Sequence, residues 1–153
     1  MRIVVDDLTG PEIFQLLNEH LRDMHASSPP ESVHALDLRA LQASNITFWS
    51  IWHNEHLAGC GAIKELNNRE AEIKSMRTST HFRRQGVGAK MLNHIVTEAK
   101  ARNYKTLYLE TGSVEYFYPA IALYKRFGFE VCGPFANYEL DPFSVFMKLD
   151  LVA

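Results

Sequence analysis

The feature that most constrains the fold is a change of period after residue 45. Residues 46–52 read Ile-Thr-Phe-Trp-Ser-Ile-Trp, a β-branched and aromatic run; residues 57–65 follow after Asn54-Glu55, and residues 70–78 after Asn67-Asn68. Short strand-forming runs joined by tight polar turns predict an antiparallel meander of three strands. The third run is followed by the turn Arg83-Arg84-Gln85-Gly86-Val87-Gly88, which leads into an apolar stripe of Met91, Leu92, Ile95, Val96 and Ala99. That stripe has helical spacing and predicts a helix over residues 87–102.

The remaining elements frame this centre. Residues 2–6 predict a first strand. A helix follows to about His25, with Thr9 as cap, Glu12 completing a capping box and Pro11 in the first turn. Ile13, Leu16, Leu17 and Leu21 give it one apolar face, and Ser27-Ser28-Pro29-Pro30 ends it. A second, shorter helix is expected within residues 32–42. After the central helix come a strand at 106–110, a helix at 118–127 stopped by Gly128, strands at 130–132 and 144–150, and a loop at 134–142. The order predicts an α/β chain with a mixed sheet, forming a single domain over residues 1–153.

Composition removes several function classes. The 153-residue chain carries a net charge of −2, so no broad basic stripe is available for nucleic acid. No apolar stretch reaches the roughly 18 residues that a membrane span needs. Residues 1–7 hold too short an apolar run for a signal peptide, so a cytoplasmic location is expected. Cys60 and Cys132 lack metal-ligand spacing and read as buried free thiols. The seven histidines show no His-x-x-x-His pair and no accompanying carboxylate cluster, so no metal is expected. The Trp49/Trp52 and Phe143/Phe146 pairs read as core, and Ser113 lacks the G-x-S-x-G elbow of a serine hydrolase.

The chemistry sits in the glycine turn. Amides at a helix start have no intrahelical partner, and the helix dipole adds positive potential there. A pyrophosphate satisfies both. Gly86 and Gly88 allow close backbone approach, while Arg83 and Arg84 add charge. Position 91 is Met, which excludes the G-x-G-x-x-G dinucleotide fingerprint, and no Gly-Lys-Ser/Thr follows, which excludes a P-loop.

With these residues the chain resembles the GCN5-related N-acetyltransferase (GNAT) superfamily, whose signature turn R/Q-x-x-G-x-G/A is matched by Arg83-x-x-Gly86-Val87-Gly88. Residues 72–78 look like the family's fourth strand and residues 107–112 like its fifth. Residues 120–129 look like its A-x-x-L-Y-x-x-x-G-F helix. Within the family the chain is most similar to the bacterial YsnE-type branch.

The resemblance implies a mostly antiparallel sheet of about seven strands with about four helices, and strands four and five splayed around acetyl-CoA. It implies that Met76, Arg77 and Thr78 meet the pantetheine arm through the backbone. The amides of Arg84, Gln85, Gly86, Val87, Gly88 and Ala89 would hold the pyrophosphate, with Arg83 beside them. Tyr124 matches the tyrosine that protonates the departing thiolate. Many members place an Asn on the pantetheine where this chain has Phe117.

Glu72 and Glu110 fall on the two strands flanking the implied cleft. A carboxylate there can deprotonate an incoming amine. The family often places its base on the first of these strands, so Glu72 is the expected base. Glu110 is expected to face the acceptor. Arg77 could bind an acceptor carboxylate or form a surface ion pair. The implied activity is direct acetyl transfer from acetyl-CoA to a primary amine of a small or amino-acid-like acceptor. A protein amino group, or a non-catalytic acyl-CoA-binding module, remain alternatives. The protein is expected to be a monomer or homodimer.

Overall fold

The computed structural model describes residues 1–34 and 36–151. Seven strands form one sheet: β1 (Arg2–Val5), β2 (Ile46–His53), β3 (His56–Glu65), β4 (Glu70–Thr78), β5 (Thr106–Gly112), β6 (Glu130–Cys132) and β7 (Ser144–Asp150). Their spatial order is β1-β2-β3-β4-β5-β7-β6. Every neighbouring pair is antiparallel except β4 with β5. The predicted meander is β2, β3 and β4, with Asn54 taking the positive φ (55°) that its hairpin turn requires.

Among the described residues there are three α-helices, not about four: α1 (Pro11–Ser27), α2 (Val87–Ala101) and α3 (Tyr118–Arg126). The second helix expected within residues 32–42 is replaced by two isolated 3₁₀ turns, Pro30–Ser32 and Ala40–Gln42. Ala35, inside that span, lies outside the described residues. Local side-chain bonds compete with helix here. The Asp37 carboxylate accepts the Ala40 N–H at 2.8 Å, and Ser32 Oγ donates to Asp141 at 2.6 Å. The Thr9–Glu12 capping box also fails to form. Gly10 is the N-cap of α1, and Thr9 instead donates its hydroxyl (2.6 Å) and its N–H (3.1 Å) to Asp7.

The two faces of the sheet are covered differently. On one, α2 buries Met91, Leu92 and Ile95, and α3 buries Tyr124, in a cluster with Ile51, Ile63, Ile73, Leu107 and Leu109. On the other, α1 lays Ile13, Leu16 and Leu17 on Phe48, Cys60 and Ala62. Each such aliphatic side chain contributes roughly 1.5–3 kcal/mol when removed from water. Trp49 and Phe146 are core residues as expected, but Trp52 is half-buried and Phe143 exposed. Both cysteines are free. Burial pushes the Cys60 thiol up to about 12, whereas Cys132, on the edge strand β6, is only half-buried.

Two irregularities of β4 create the site. The first is a bulge. Cys60 pairs with Arg77 but Ala62 with Lys74, so Ser75 and Met76 oppose Gly61 alone. Ser75 takes φ 54° to do so. The extra residue shifts the alternation: Ile73 and Met76 pack on the α2 side, where Gly61 leaves room for Met76, while Arg77 turns toward α1. The second irregularity is a divergence of strands. β4 and β5 pair only at Glu70–Thr106, Ala71–Leu107 and Glu72–Tyr108. Beyond these, residues 73–78 and 109–112 separate without pairing.

Candidate active site

A cavity of about 780 Å³ occupies the gap between the diverging strands. It runs from the start of α2 to the side of the sheet covered by α1 and the segment after it.

At the α2 end the geometry is made by backbone. Gly86 is the N-cap at φ 78°, ψ 15°. A Cβ there would meet nothing within 4 Å, so the demand for glycine is conformational. At Gly88 the demand is spatial, because a Cβ would lie 3.2 Å from Leu123 Cδ2. The Lys90 N–H bonds back to the Gly86 carbonyl at 3.0 Å, which leaves the amides of Val87, Gly88 and Ala89 without intrahelical partners. No acidic residue occupies the first turn. Arg83 and Arg84 are exposed and line the same mouth. Gln85 does not line it; its amide donates to the His81 carbonyl at 3.4 Å.

Met76, Arg77 and Thr78 line the cavity from β4, and Phe117 lines it from the opposite wall. The Phe117 ring packs directly against Gly112, where a Cβ would collide with it. Tyr124, on α3, is buried at the cavity wall, and burial raises its phenol above the ordinary tyrosine value. The ring packs edge-on against Phe129 at 5.7 Å. Among the described residues its hydroxyl has no hydrogen-bond partner in the protein.

The two glutamates separate. Glu72, the expected base, sits at the last paired level of β4 and β5 and is not on the cavity wall. It is 2% exposed and its Oε2 accepts from Tyr138 (2.6 Å) and Lys74 (3.3 Å). That placement gives an acceptor no access to it. Glu110 lies beyond the point of divergence and does line the cavity. Burial raises its carboxyl above the usual carboxylate range, with Ser144, His34 and Lys74 opposing the shift.

Arg77 is turned toward α1. It donates to Asp23 at 2.6 Å and lies 4.0 Å from Glu19, with the Tyr116 hydroxyl at 3.4 Å. Its Nε has no partner and is buried. Nearby, His20 of α1 is held at about 4, first by burial and then by the Arg77 charge, so its ring is neutral near pH 7. Its Nδ1 also lacks a partner.

Sequence reasoning does not single out His20, His34, Lys74 or Tyr138. Each comes from a different segment, none carries a motif, and only the folded topology joins them. No group of three or more His, Cys, Asp or Glu side chains is placed to hold a metal among the described residues. No helix there is long and apolar enough to cross a membrane.

Comparison with known proteins agrees with this geometry. The sequence profile of the acetyltransferase (GNAT) family matches residues 11–129. The chain is 56% identical over 151 residues to the uncharacterized N-acetyltransferase YsnE of Bacillus subtilis (strain 168), spanning 99% of this chain and 100% of that protein. Among solved structures, one from Klebsiella pneumoniae assigned as an acyl-CoA N-acyltransferase superposes with a TM-score of 0.79 at 29% identity, covering 99% of this chain and 97% of that one. An aminoglycoside 6'-N-acetyltransferase solved in complex with coenzyme A shares the fold, with a TM-score of 0.72 at 14% identity over 100% and 98% of the two chains.

Proposed function

Because the chain belongs to the acetyltransferase (GNAT) family and is an N-acetyltransferase, we propose that it moves the acetyl group of acetyl-CoA directly to the primary amine of a small, amino-acid-like acceptor. The observation that carries this reading is one continuous cavity joining the unpaired amides of Val87, Gly88 and Ala89 to Glu110. Residues 1–153 act as one domain, and a cytoplasmic location fits the use of acetyl-CoA.

The residues at the α2 end fit the cosubstrate. Three free amides, a helix start and two arginines suit a pyrophosphate. The unpaired edges of β4 and β5 offer backbone groups to an amide-bearing arm, at Met76 and Thr78 among others. Phe117 supplies an apolar wall there. Bound acetyl-CoA would supply an activated acyl carbon and a thiolate leaving group.

The chain's own groups move the protons. Glu110 takes one proton from the acceptor's ammonium and frees its lone pair to form the C–N bond. Tyr124 gives its phenolic proton to sulfur as the C–S pair departs, and recovers a proton from the newly acylated nitrogen. Glu110 releases its proton to water through the open cavity, so one proton leaves per turnover. The raised phenol keeps Tyr124 a donor near neutral pH. Arg77 lines the cavity with one guanidinium nitrogen unpaired, which suits an acceptor carboxylate.

The test is acetyl-CoA turnover over a panel of amino acids, small amines and peptide N-termini, scored by acetylated product. Acetylation confined to small acceptors supports the proposal, and acetylation of peptides alone overturns its choice of acceptor.

A further inference from the structure

The side chains around Glu110 are organised for more than burial. His34 lies in the segment after α1 and lines the cavity. Its Nδ1 is 3.5 Å from Glu110 Oε1 and has no hydrogen bond of its own. Two contacts hold the residue there. The Lys74 ammonium donates to the His34 carbonyl at 3.1 Å. The Tyr138 ring meets the imidazole edge-on at 4.9 Å.

Lys74 and Tyr138 are themselves locked. Lys74 Nζ also donates to Tyr138 Oη (2.8 Å) and Glu72 Oε2 (3.3 Å), which with the His34 carbonyl uses all three of its N–H groups. Tyr138 Oη donates to Glu72 at 2.6 Å. The ammonium therefore has no donor left for a ligand. The Glu72–Lys74–Tyr138 cluster acts as a strut, tying β4, the 134–142 loop and the His34 segment together.

Resting on the reading of Glu110 as the base, we propose that His34 is its positioning partner: the imidazole Nδ1–H holds one carboxylate oxygen of Glu110 and leaves the other free for the acceptor's proton. The step balances simply. One N–H bond of the acceptor ammonium breaks, one O–H bond forms on Glu110, and His34 keeps its proton throughout. The donor also favours the charged carboxylate that burial disfavours. The ionisable groups around the pair are Lys74 and Glu72 on β4, with Tyr138 and Asp141 from the loop before β7.

Substitution separates positioning from packing. His34→Ala removes the donor. His34→Asn keeps an N–H near the place of Nδ1 but cannot titrate. The primary readout needs no acceptor: NMR titration of the Glu110 carboxyl, ¹³C-labelled, in the full chain with CoA bound. In His34→Ala the midpoint should rise by about half to one unit, and in His34→Asn it should return most of the way. An unchanged Glu110 midpoint in His34→Ala, with CoA affinity retained as evidence of folding, overturns the proposal. The second readout is acetyl transfer to the best amine of the panel. His34→Ala should lower kcat/KM about tenfold and move its acidic limb upward, but cost nothing further in a Glu110→Gln background. An equal, additive loss in that background would show that His34 does not act through Glu110. If the wild type acetylates no amine, the functional proposal fails, while the titration still decides the pairing.

Discussion

The two ends of the cavity are built by different means. At the α2 end the wall is made by backbone: a left-handed Gly86, three free amides and a glycine that clears Leu123, all within residues 86–89. At the α1 end it is made by side chains. His20, His34, Arg77 and Glu110 come from four segments; Asp23 holds Arg77, while Lys74 and Tyr138 hold His34 beside Glu110. A backbone site suits a cosubstrate shared by many relatives, because it tolerates change in almost every side chain. A side-chain site can be rebuilt for each acceptor. Substitutions at the two ends should therefore separate cosubstrate binding from acceptor chemistry.

Tyr124, buried in the cavity wall, should give the largest effect. Tyr124→Phe keeps the ring against Phe129 but removes the hydroxyl that the proposed mechanism uses as proton donor. Single-turnover acetyl transfer should slow by roughly 10²–10⁴-fold, with CoA affinity nearly unchanged. A wild-type rate across pH would mean that water or the acceptor protonates the sulfur.

Next comes Gly88→Val. Its side chain would crowd Leu123 and Thr78 and fill the space above the free amides. CoA affinity, read by calorimetry on the folded variant, should fall by about 100-fold, some 2.7 kcal/mol. If affinity survives, the anion does not lie on these amides.

The α1 end predicts a pH effect on stability instead. His20 is at about 4 in the fold, below its ordinary 6.5, so the unfolded chain takes up the proton first as pH falls. Stability should be unaffected above pH 6.5, decline between 6.5 and 4, and level off below. The loss should amount to at most about 3 kcal/mol. Urea unfolding of wild type and His20→Gln at pH 7.5 and pH 4 checks this: the decline should be present in wild type and absent from His20→Gln. A decline of equal size in both would contradict a neutral buried ring.

The smallest effect is expected at Arg83 and Arg84, which are exposed. Alanine at either should weaken CoA binding by up to about tenfold at low salt, and less at high salt, since exposed charges are screened. An effect independent of salt would place that guanidinium in direct, desolvated contact with the ligand.

The same contrast explains which features are legible in the sequence. Residues 46–102 announce their structure locally: alternation in the strands, Asn54 at the hairpin, glycines before an apolar helical stripe. The tyrosine of α3 is legible through the spacing of Ala120, Leu123 and Gly128. The expected second helix does not form, because its window contains Asp37 and Ser32, whose side chains make turn and tertiary bonds. Thr9 misleads for a similar reason, since Asp7 captures its hydroxyl. Glu72 lies on a strand that flanks the cleft, yet β4 and β5 diverge immediately after it and leave it outside the cavity. The bulge at Ser75 has no sequence mark, since no glycine takes its positive φ. His34 and Tyr138 lie in loops whose positions are set by Lys74 and Glu72, 40–66 residues away in sequence.

The most direct test of the account is a titration of CoA into the ¹⁵N-labelled protein, followed amide by amide. Large, saturable shifts are expected at Val87, Gly88 and Ala89 and along the unpaired edges of β4 and β5, with much smaller changes at His20 and His34. Unmoved amides at residues 87–89 under saturating CoA would contradict it, as would shifts centred on a second cavity beside Tyr108 and Lys148.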